Sequence, residues 1–280
     1  MVRSIIVYCS PAGSTRRLAQ VMETTLNDLH IPCAISDIGT AKGRESAVRA
    51  VQEMGKSTCL FVGSPVYANH PVPPITEFLE RLPENTGAAA VPFVTWGGAS
   101  SGVALYDMGS ALSAKGLRLM GAAKVMAVHS LMWRAENPVG EGRPDEADDQ
   151  KIRELTAAVI RKMTDRDHGK DIFPGDLDYQ PAEFREELAA ASLEKARGHM
   201  PQRTVHEDRC TQCGRCVEAC PAAAIELSPF PAFNDRCIFC FNCVRECPED
   251  AIAADMSTSE KMVRARAERF DERPRTRIFL

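Results

Sequence analysis

Residues 4–29 read "SIIVYCSPAGSTRRLAQVMETTLNDL", and three regimes follow one another within them. Ser4 to Cys9 is a short apolar run that reads as a buried strand. Ser10 to Thr15 is a turn of small residues. From there Leu18, Val21, Met22, Leu26 and Leu29 recur at helical spacing. Strand, small-residue loop and helix in that order turn backbone N–H groups inward and point the positive end of a helix dipole at the loop, a geometry that holds phosphate. Any tight βα turn also favours Gly and Ser, so the loop by itself is weak evidence for a ligand.

The same alternation continues downstream. "PCAISDI" (32–38), "TCLFVGSPVY" (58–67), "AAVPFVTWGG" (89–98) and "GAAKVMAVHS" (121–130) read as four more strands. Helical stretches "RESAVRAVQEM" (44–54), "PPITEFLERL" (73–82) and "ALYDMGSALSAKG" (104–116) lie between them. Strands separated by helix-length segments predict a parallel sheet with helices on both faces. Ligands of such sheets sit beyond the carboxyl ends of the strands. The ends richest in small and polar residues are 10–15, 64–67 and 95–102.

With those three loops in view, residues 1–163 resemble a flavodoxin: "SPAGST" matches that family's FMN phosphate loop, "GSPVY" its second flavin loop and "TWGGASSG" its third. The resemblance implies an α/β, doubly wound, five-stranded parallel sheet that binds FMN. It implies phosphate contacts from Ser10, Gly13, Ser14 and Thr15, with Ala12 in the same cofactor-binding loop, and puts Tyr67 and Trp96 beside the flavin ring. Ser64, Pro65, Val66, Thr95, Gly97 and Gly98 complete the implied set around the ring's polar edge. Pro11 and Ala12 depart from the family, which often has hydrogen-bonding residues there, and the third loop lacks the acidic, tyrosine-bearing character of the best-known members. Each aromatic has a second reading as ordinary core. His70 and His129 lie near strand ends, where an imidazole either tunes a flavin or is a plain loop residue. Cys9, Cys33 and Cys59 lack ligand spacing and read as small buried hydrophobes.

Eight of the eleven cysteines fall in two near-copies, "RCTQCGRCVEACPAAAI" (209–225) and "RCIFCFNCVRECPEDAI" (236–252). Each has the spacing C-x-x-C-x-x-C-x-x-x-C-P: Cys210, Cys213, Cys216, Cys220, then Cys237, Cys240, Cys243, Cys247. Three cysteines so spaced wrap three corners of a cubane, and the fourth serves the other cluster. Across this region the chain resembles a bacterial two-cluster ferredoxin, a small α+β domain. The resemblance implies one [4Fe-4S] cluster on Cys210, Cys213, Cys216 and Cys247, a second on Cys237, Cys240, Cys243 and Cys220, and low potentials. Structural zinc on four thiolates is the other reading. Zinc sites usually space their ligands as two distant pairs rather than as a triplet plus a prolyl cysteine.

Composition narrows the rest. The chain has 280 residues, 44% of them hydrophobic, and a net charge of -4, which gives no electrostatic reason to expect a nucleic-acid partner. No apolar run approaches the roughly eighteen residues of a membrane span, and the opening run is too short for a secretory leader, so a cytoplasmic location is expected. No dinucleotide fingerprint, Walker loop or nucleophile elbow is present. The expected division is 1–163 flavodoxin-like, 164–202 linker and bridging helix "PAEFREELAAASLEKAR" (181–197), 203–256 ferredoxin-like, and 257–280 a basic tail. Residues 203–256 carry nine acids against five bases, as expected for docking a basic redox partner. The tail carries seven bases against four acids and reads as a helix packed back on the chain through Met262, Val263, Ala265 and Phe270.

The leading expectation is an iron-sulfur flavoprotein that relays low-potential electrons between two clusters and FMN, to or from a partner redox enzyme. Two alternatives stay open: an FMN-dependent reductase fed by the clusters, and a zinc-stabilised interaction module. Whether the chain is monomeric or a homodimer is not legible in the sequence.

Overall fold

A computed structural model of the chain describes residues 1–164 and 170–280. The part of the expected linker that falls on 165–169 lies outside the described residues. The first half runs β1 (Arg3–Tyr8), α1 (Ser14–Asp28), β2 (Cys33–Asp37), α2 (Ala41–Val51), β3 (Thr58–Tyr67), β4 (His70–Pro71) and α3 (Pro73–Glu80). It continues β5 (Ala89–Trp96), α4 (Ala104–Ala114), β6 (Arg118–Leu119), β7 (Ala122–Met126) and α5 (Glu146–Thr164). After α6 (Ala182–Ala189) and α7 (Leu193–Arg197) come β8 (Arg203–Val205), α8 (Arg215–Glu218), β9 (Ile225–Leu227) and β10 (Pro231–Phe233). The chain ends α9 (Asn242–Arg245), β11 (Ile252–Ala254), α10 (Ser257–Phe270) and β12 (Arg277–Phe279).

The five long strands pair in parallel in the order β2-β1-β3-β5-β7. This is the doubly wound flavodoxin-like order. All eight residues of β5 are buried, which explains why its sequence does not alternate: both of its faces are covered. On one face Leu18, Met22 and Leu26 of α1 meet Ile152, Leu155 and Val159 of α5 over Ile6, Phe61 and Phe93. On the other, Ala47 of α2, Ile75 of α3 and Leu105 of α4 cover Ile5, Leu60 and Val94.

Three short strands beyond the five were not expected: β4 pairs with β3, β6 with β5, and β12 with β7. The tail forms the helix α10 and then returns as β12, antiparallel to β7 at the sheet edge. Ile278 packs on the α1/α5 face and Phe279, 6% exposed, on the other, as successive strand residues must. Glu272, between helix and strand, accepts from the Lys124 ammonium, from Gln180 Nε2 at 3.3 Å, and from Ser101 through its backbone N–H at 2.7 Å and its hydroxyl. The tail is thereby tied to β7 and to the loop after β5.

The expected bridging helix is two helices. Ser192 accepts the Lys195 N–H at 3.1 Å and so begins α7 afresh, because a serine oxygen caps a new helix better than it sits inside one. Beyond them, β8 pairs with β11 and β9 with β10, both antiparallel. The two cysteine runs each supply one short helix and one strand, with Ile225, Phe241, Val244 and Ile252 packed among them. Among the described residues no helix is long and apolar enough to cross a membrane.

Candidate functional site

The loop after β1 is shaped by its own hydrogen bonds. Gly13 takes a φ of 89° as the residue before α1, a conformation that costs glycine little. Its N–H donates to the Ser10 carbonyl at 3.3 Å, and the Ser10 hydroxyl accepts the Arg16 N–H at 2.9 Å. The first-turn amides of Ser14 and Thr15 have no acceptor within the helix. No acidic side chain stands in that turn. Arg16 and Arg17 are paired outward with Asp37 at 3.1 Å and Asp149 at 2.7 Å. The result is a concavity of backbone amides, the kind of geometry that suits an anion.

This loop forms part of the wall of a cavity of about 450 Å³. The structure brings Ser10, Ala12, Ser14, Thr15, Pro65, Val66, Tyr67, Thr95, Trp96 and Gly97 of the expected set onto that wall. Three expected residues stand off it. Ser64 Oγ accepts the Val72 N–H at 3.0 Å and donates to the Pro65 carbonyl at 2.8 Å, so it holds the β3–α3 connection. Gly98 is closed in by Met126 and Val139, each of which would lie 2.6 Å from an added Cβ. Gly13 serves as the helix cap. The Thr15 and Thr95 hydroxyls share a 2.8 Å hydrogen bond, tying the first loop to the third.

The two aromatics differ. The Trp96 indole is 2% exposed and donates to the Arg275 carbonyl at 2.9 Å, and the Lys124 ammonium stands 5.3 Å from its ring centroid. One side of the ring therefore faces a cation and its N–H is taken by the protein, while Trp96 still lines the cavity. Tyr67 faces the cavity, while its buried hydroxyl has no hydrogen-bond partner among the described residues. Burial first, and the neighbouring Cys240 second, raise the Tyr67 pKa.

Sequence reasoning missed much of the wall. Leu193, Lys195 and His199 from around α7 line it, as do Met262, Val263 and Arg266 of α10 and Ile238 and Phe239 from between two cysteines. No aspartate or glutamate is among the described residues lining it. His129 packs on Gly97, where an added Cβ would lie 2.5 Å from its Cδ2. Its Nδ1 accepts the Leu131 N–H at 3.2 Å, which leaves Nε2 as the protonated nitrogen of the neutral ring. Burial, and then the Arg266 charge, lower the His129 pKa to about 4. His70 lies elsewhere, bonded through Nδ1 to Asp107 at 2.6 Å.

The cysteines divide as follows. Cys210, Cys213, Cys216 and Cys247 line one small cavity. Cys220 adjoins Cys237, Cys240 and Cys243, and burial pushes the Cys240 thiol up to about 12 and Cys243 to about 11. Cys213 is exposed, whereas Cys240 and Cys243 are 7% and 5% exposed. Matching backbone donors serve the two prolyl cysteines, Ala224 N–H to Cys220 Sγ and Ala251 N–H to Cys247 Sγ, both at 3.2 Å. Among the described residues no three His, Cys, Asp or Glu side chains converge on a single-ion site. Cys9 and Cys59 are wholly buried, and Cys33 is half-buried.

The family model of the 4Fe-4S dicluster domain matches residues 205–252. Among curated proteins nothing matches the chain. Of solved structures, rubredoxin oxygen:oxidoreductase from the anaerobe Desulfovibrio gigas is 18% identical, over 57% of this chain and 36% of that one, with a TM-score of 0.47. The chain thus spans about a third of that protein's length. A flavodoxin from the domain Archaea is 16% identical over 59% of this chain and all of its own, with a TM-score of 0.45. An NADH:FMN oxidoreductase in its apo form is 18% identical over 60% of this chain and 94% of its own, with a TM-score of 0.42. The chain joins a flavodoxin-like α/β fold, by its strand order, to a 4Fe-4S dicluster domain.

Proposed function

We propose that this protein is an electron-transfer iron-sulfur flavoprotein, with FMN in the cavity beyond β1, β3 and β5 and two [4Fe-4S] clusters on the eight cysteines. In this reading residues 1–163 hold the flavin, 203–256 hold the clusters, 164–202 link the two, and 257–280 form a basic tail. The observation that carries it is the position of Ile238 and Phe239. They sit between Cys237 and Cys240 in the sequence and form part of the cavity wall, so one loop separates the flavin site from a cluster site.

The residues present suit these groups. The free amides of the first loop fit a phosphate, Gly97 leaves room beside His129, and the cysteine sets fit the ligand order of a two-cluster domain. When bound, FMN exchanges two electrons and each cluster one, so together they join one-electron to two-electron carriers. The chain's own part is positional. The 10–15 loop binds the phosphate, Ile238 and Phe239 exclude water between the sites, and backbone N–H groups donate to the sulfurs. The acidic 203–256 segment would dock a basic partner.

The test is iron, sulfide, zinc and flavin content after purification without oxygen. About eight iron, eight sulfide and one FMN per chain are expected. Zinc in place of iron, or absence of flavin, would overturn the reading. Turnover of a small molecule by the loaded protein without any protein partner would favour the reductase alternative.

A further inference from the structure

The two cysteine sets share their backbone donors but not their charges. The Arg203 Nη1 donates to Cys237 Sγ at 2.9 Å, and its guanidinium stands 4.0 Å from the Phe233 ring centroid. Arg245 lies beside the same set, donating to the Cys240 carbonyl at 2.8 Å and the Ser130 carbonyl at 3.1 Å. Among the described residues no arginine bonds a sulfur of Cys210, Cys213, Cys216 or Cys247. Arg209 and Arg215, next to that set in sequence, are exposed, where water and salt screen them.

The flavin cavity continues the trend. Its wall has no carboxylate among the described residues and includes Arg266. Arg269 takes both oxygens of Glu187, at 2.8 and 2.5 Å; Arg266 feels the Glu187 charge and stands 5.0 Å from the Phe270 ring centroid, and no hydrogen bond from its guanidinium is seen among the described residues. Lys195 spends its ammonium on the Ala190 carbonyl at 2.5 Å. Arg266 bears on His129, beyond β7, whereas the phosphate loop follows β1. Those two strand ends are three strand spacings apart, about 14 Å at about 4.8 Å each. Arg266 thus belongs with the His129 side of the cavity wall rather than with the loop after β1.

Positive charge favours whichever state is more negative. A cluster gains one negative charge when it takes an electron, and a flavin ring that takes two electrons and one proton gains one as well. From these positions we propose that Arg203 and Arg266 set the direction of transfer: Arg203 would raise the potential of a cluster held by the Cys237 set above that of one held by the more exposed Cys213 set, and Arg266 would favour the negative, reduced form of a flavin in the cavity, so that electrons would run inward. Two one-electron reductions of the outer cluster by a low-potential donor protein would supply the two electrons and water the proton, and both clusters would return to their oxidised state. The proposal rests on the flavin and cluster assignments above.

The experiment is an anaerobic redox titration of the full chain loaded with FMN and clusters, following the clusters by electron paramagnetic resonance and the flavin by absorbance. The wild type is expected to reduce its flavin at the highest potential and one cluster at the lowest. Arg266→Gln is expected to shift the reduced-to-oxidised ratio of the bound flavin at least tenfold toward oxidised at fixed potential, about 30 mV for two electrons, and Arg266→Lys to restore it. Arg203→Gln is expected to shift one cluster by tenfold or more, about 59 mV for one electron, and leave the other in place. A flavin that is the last group to be reduced overturns the direction without any variant. Bound FMN whose potential ignores Arg266→Gln overturns the role of that arginine, whereas a wild type that takes up no FMN overturns the functional reading with it.

Discussion

Lys124 and Glu272 form an ion pair inside the protein, with side chains 1% and 7% exposed, joining β7 to the segment before β12. Burial lowers the Lys124 pKa, and the Glu272 charge opposes that fall. Removing one partner of such a pair strands the other. Glu272→Ala is therefore expected to cost about 3–5 kcal/mol, read as a drop in the urea midpoint. It also frees the Ser101 N–H and so loosens the third loop. A cost below 1 kcal/mol would mean that water reaches Lys124.

His129 gives the protein an acid-side weakness. Its pKa is lowered from 6.5 to about 4 in the fold, by burial and then by Arg266. Between those values the unfolded chain binds the proton and the folded one does not, so stability falls as pH falls from 6.5 to 4. The loss is on the order of 3 kcal/mol. Urea unfolding of wild type and His129→Gln at pH 7 and pH 4 should show the wild type losing that much more. Equal losses would mean that the fold leaves the imidazole pKa close to its unfolded value.

At Gly97 the constraint is space. A Cβ there would lie 2.5 Å from His129 Cδ2 and 2.8 Å from its Cα. Gly97→Ala should cost about 1–3 kcal/mol in thermal unfolding and weaken FMN binding at least tenfold in a fluorescence titration. Unchanged affinity would place the flavin away from the third loop.

Two neighbouring cysteines should behave oppositely. Cys240→Ala removes an expected ligand, and iron should fall to about four of eight per chain or be lost entirely. Cys9, wholly buried against the same region, lies outside both motifs, so Cys9→Ala should retain the full iron content. Iron loss in both would make Cys9 part of the site.

The features legible in the sequence were local ones. The strand-loop-helix of residues 4–29 and the spacing of eight cysteines each carry their meaning within about thirty residues, because backbone periodicity and ligand reach are short-range. The remainder depends on the chain folding back. Lys195, His199 and Arg266 reach the cavity from α7 and α10, and nothing in their own segments announces it. Trp96 lines the cavity from the expected loop, and its contacts with Lys124 and Arg275 come from segments distant in the sequence. Ser192 had a visible signal, a capping residue inside a helical run, that could have divided the bridging helix.

The pairing of β12 with β7 bears on how the molecule is made. Arg277 meets Lys124 after about 150 intervening residues, a separation that slows folding through the loop-closure cost of so distant a contact. Until that strand arrives, β7 presents an open hydrogen-bonding edge to other chains, the usual starting point for edge-to-edge association. A nascent chain thus emerges with its sheet still unsealed, and the seal comes only after the entire cysteine region has left the ribosome.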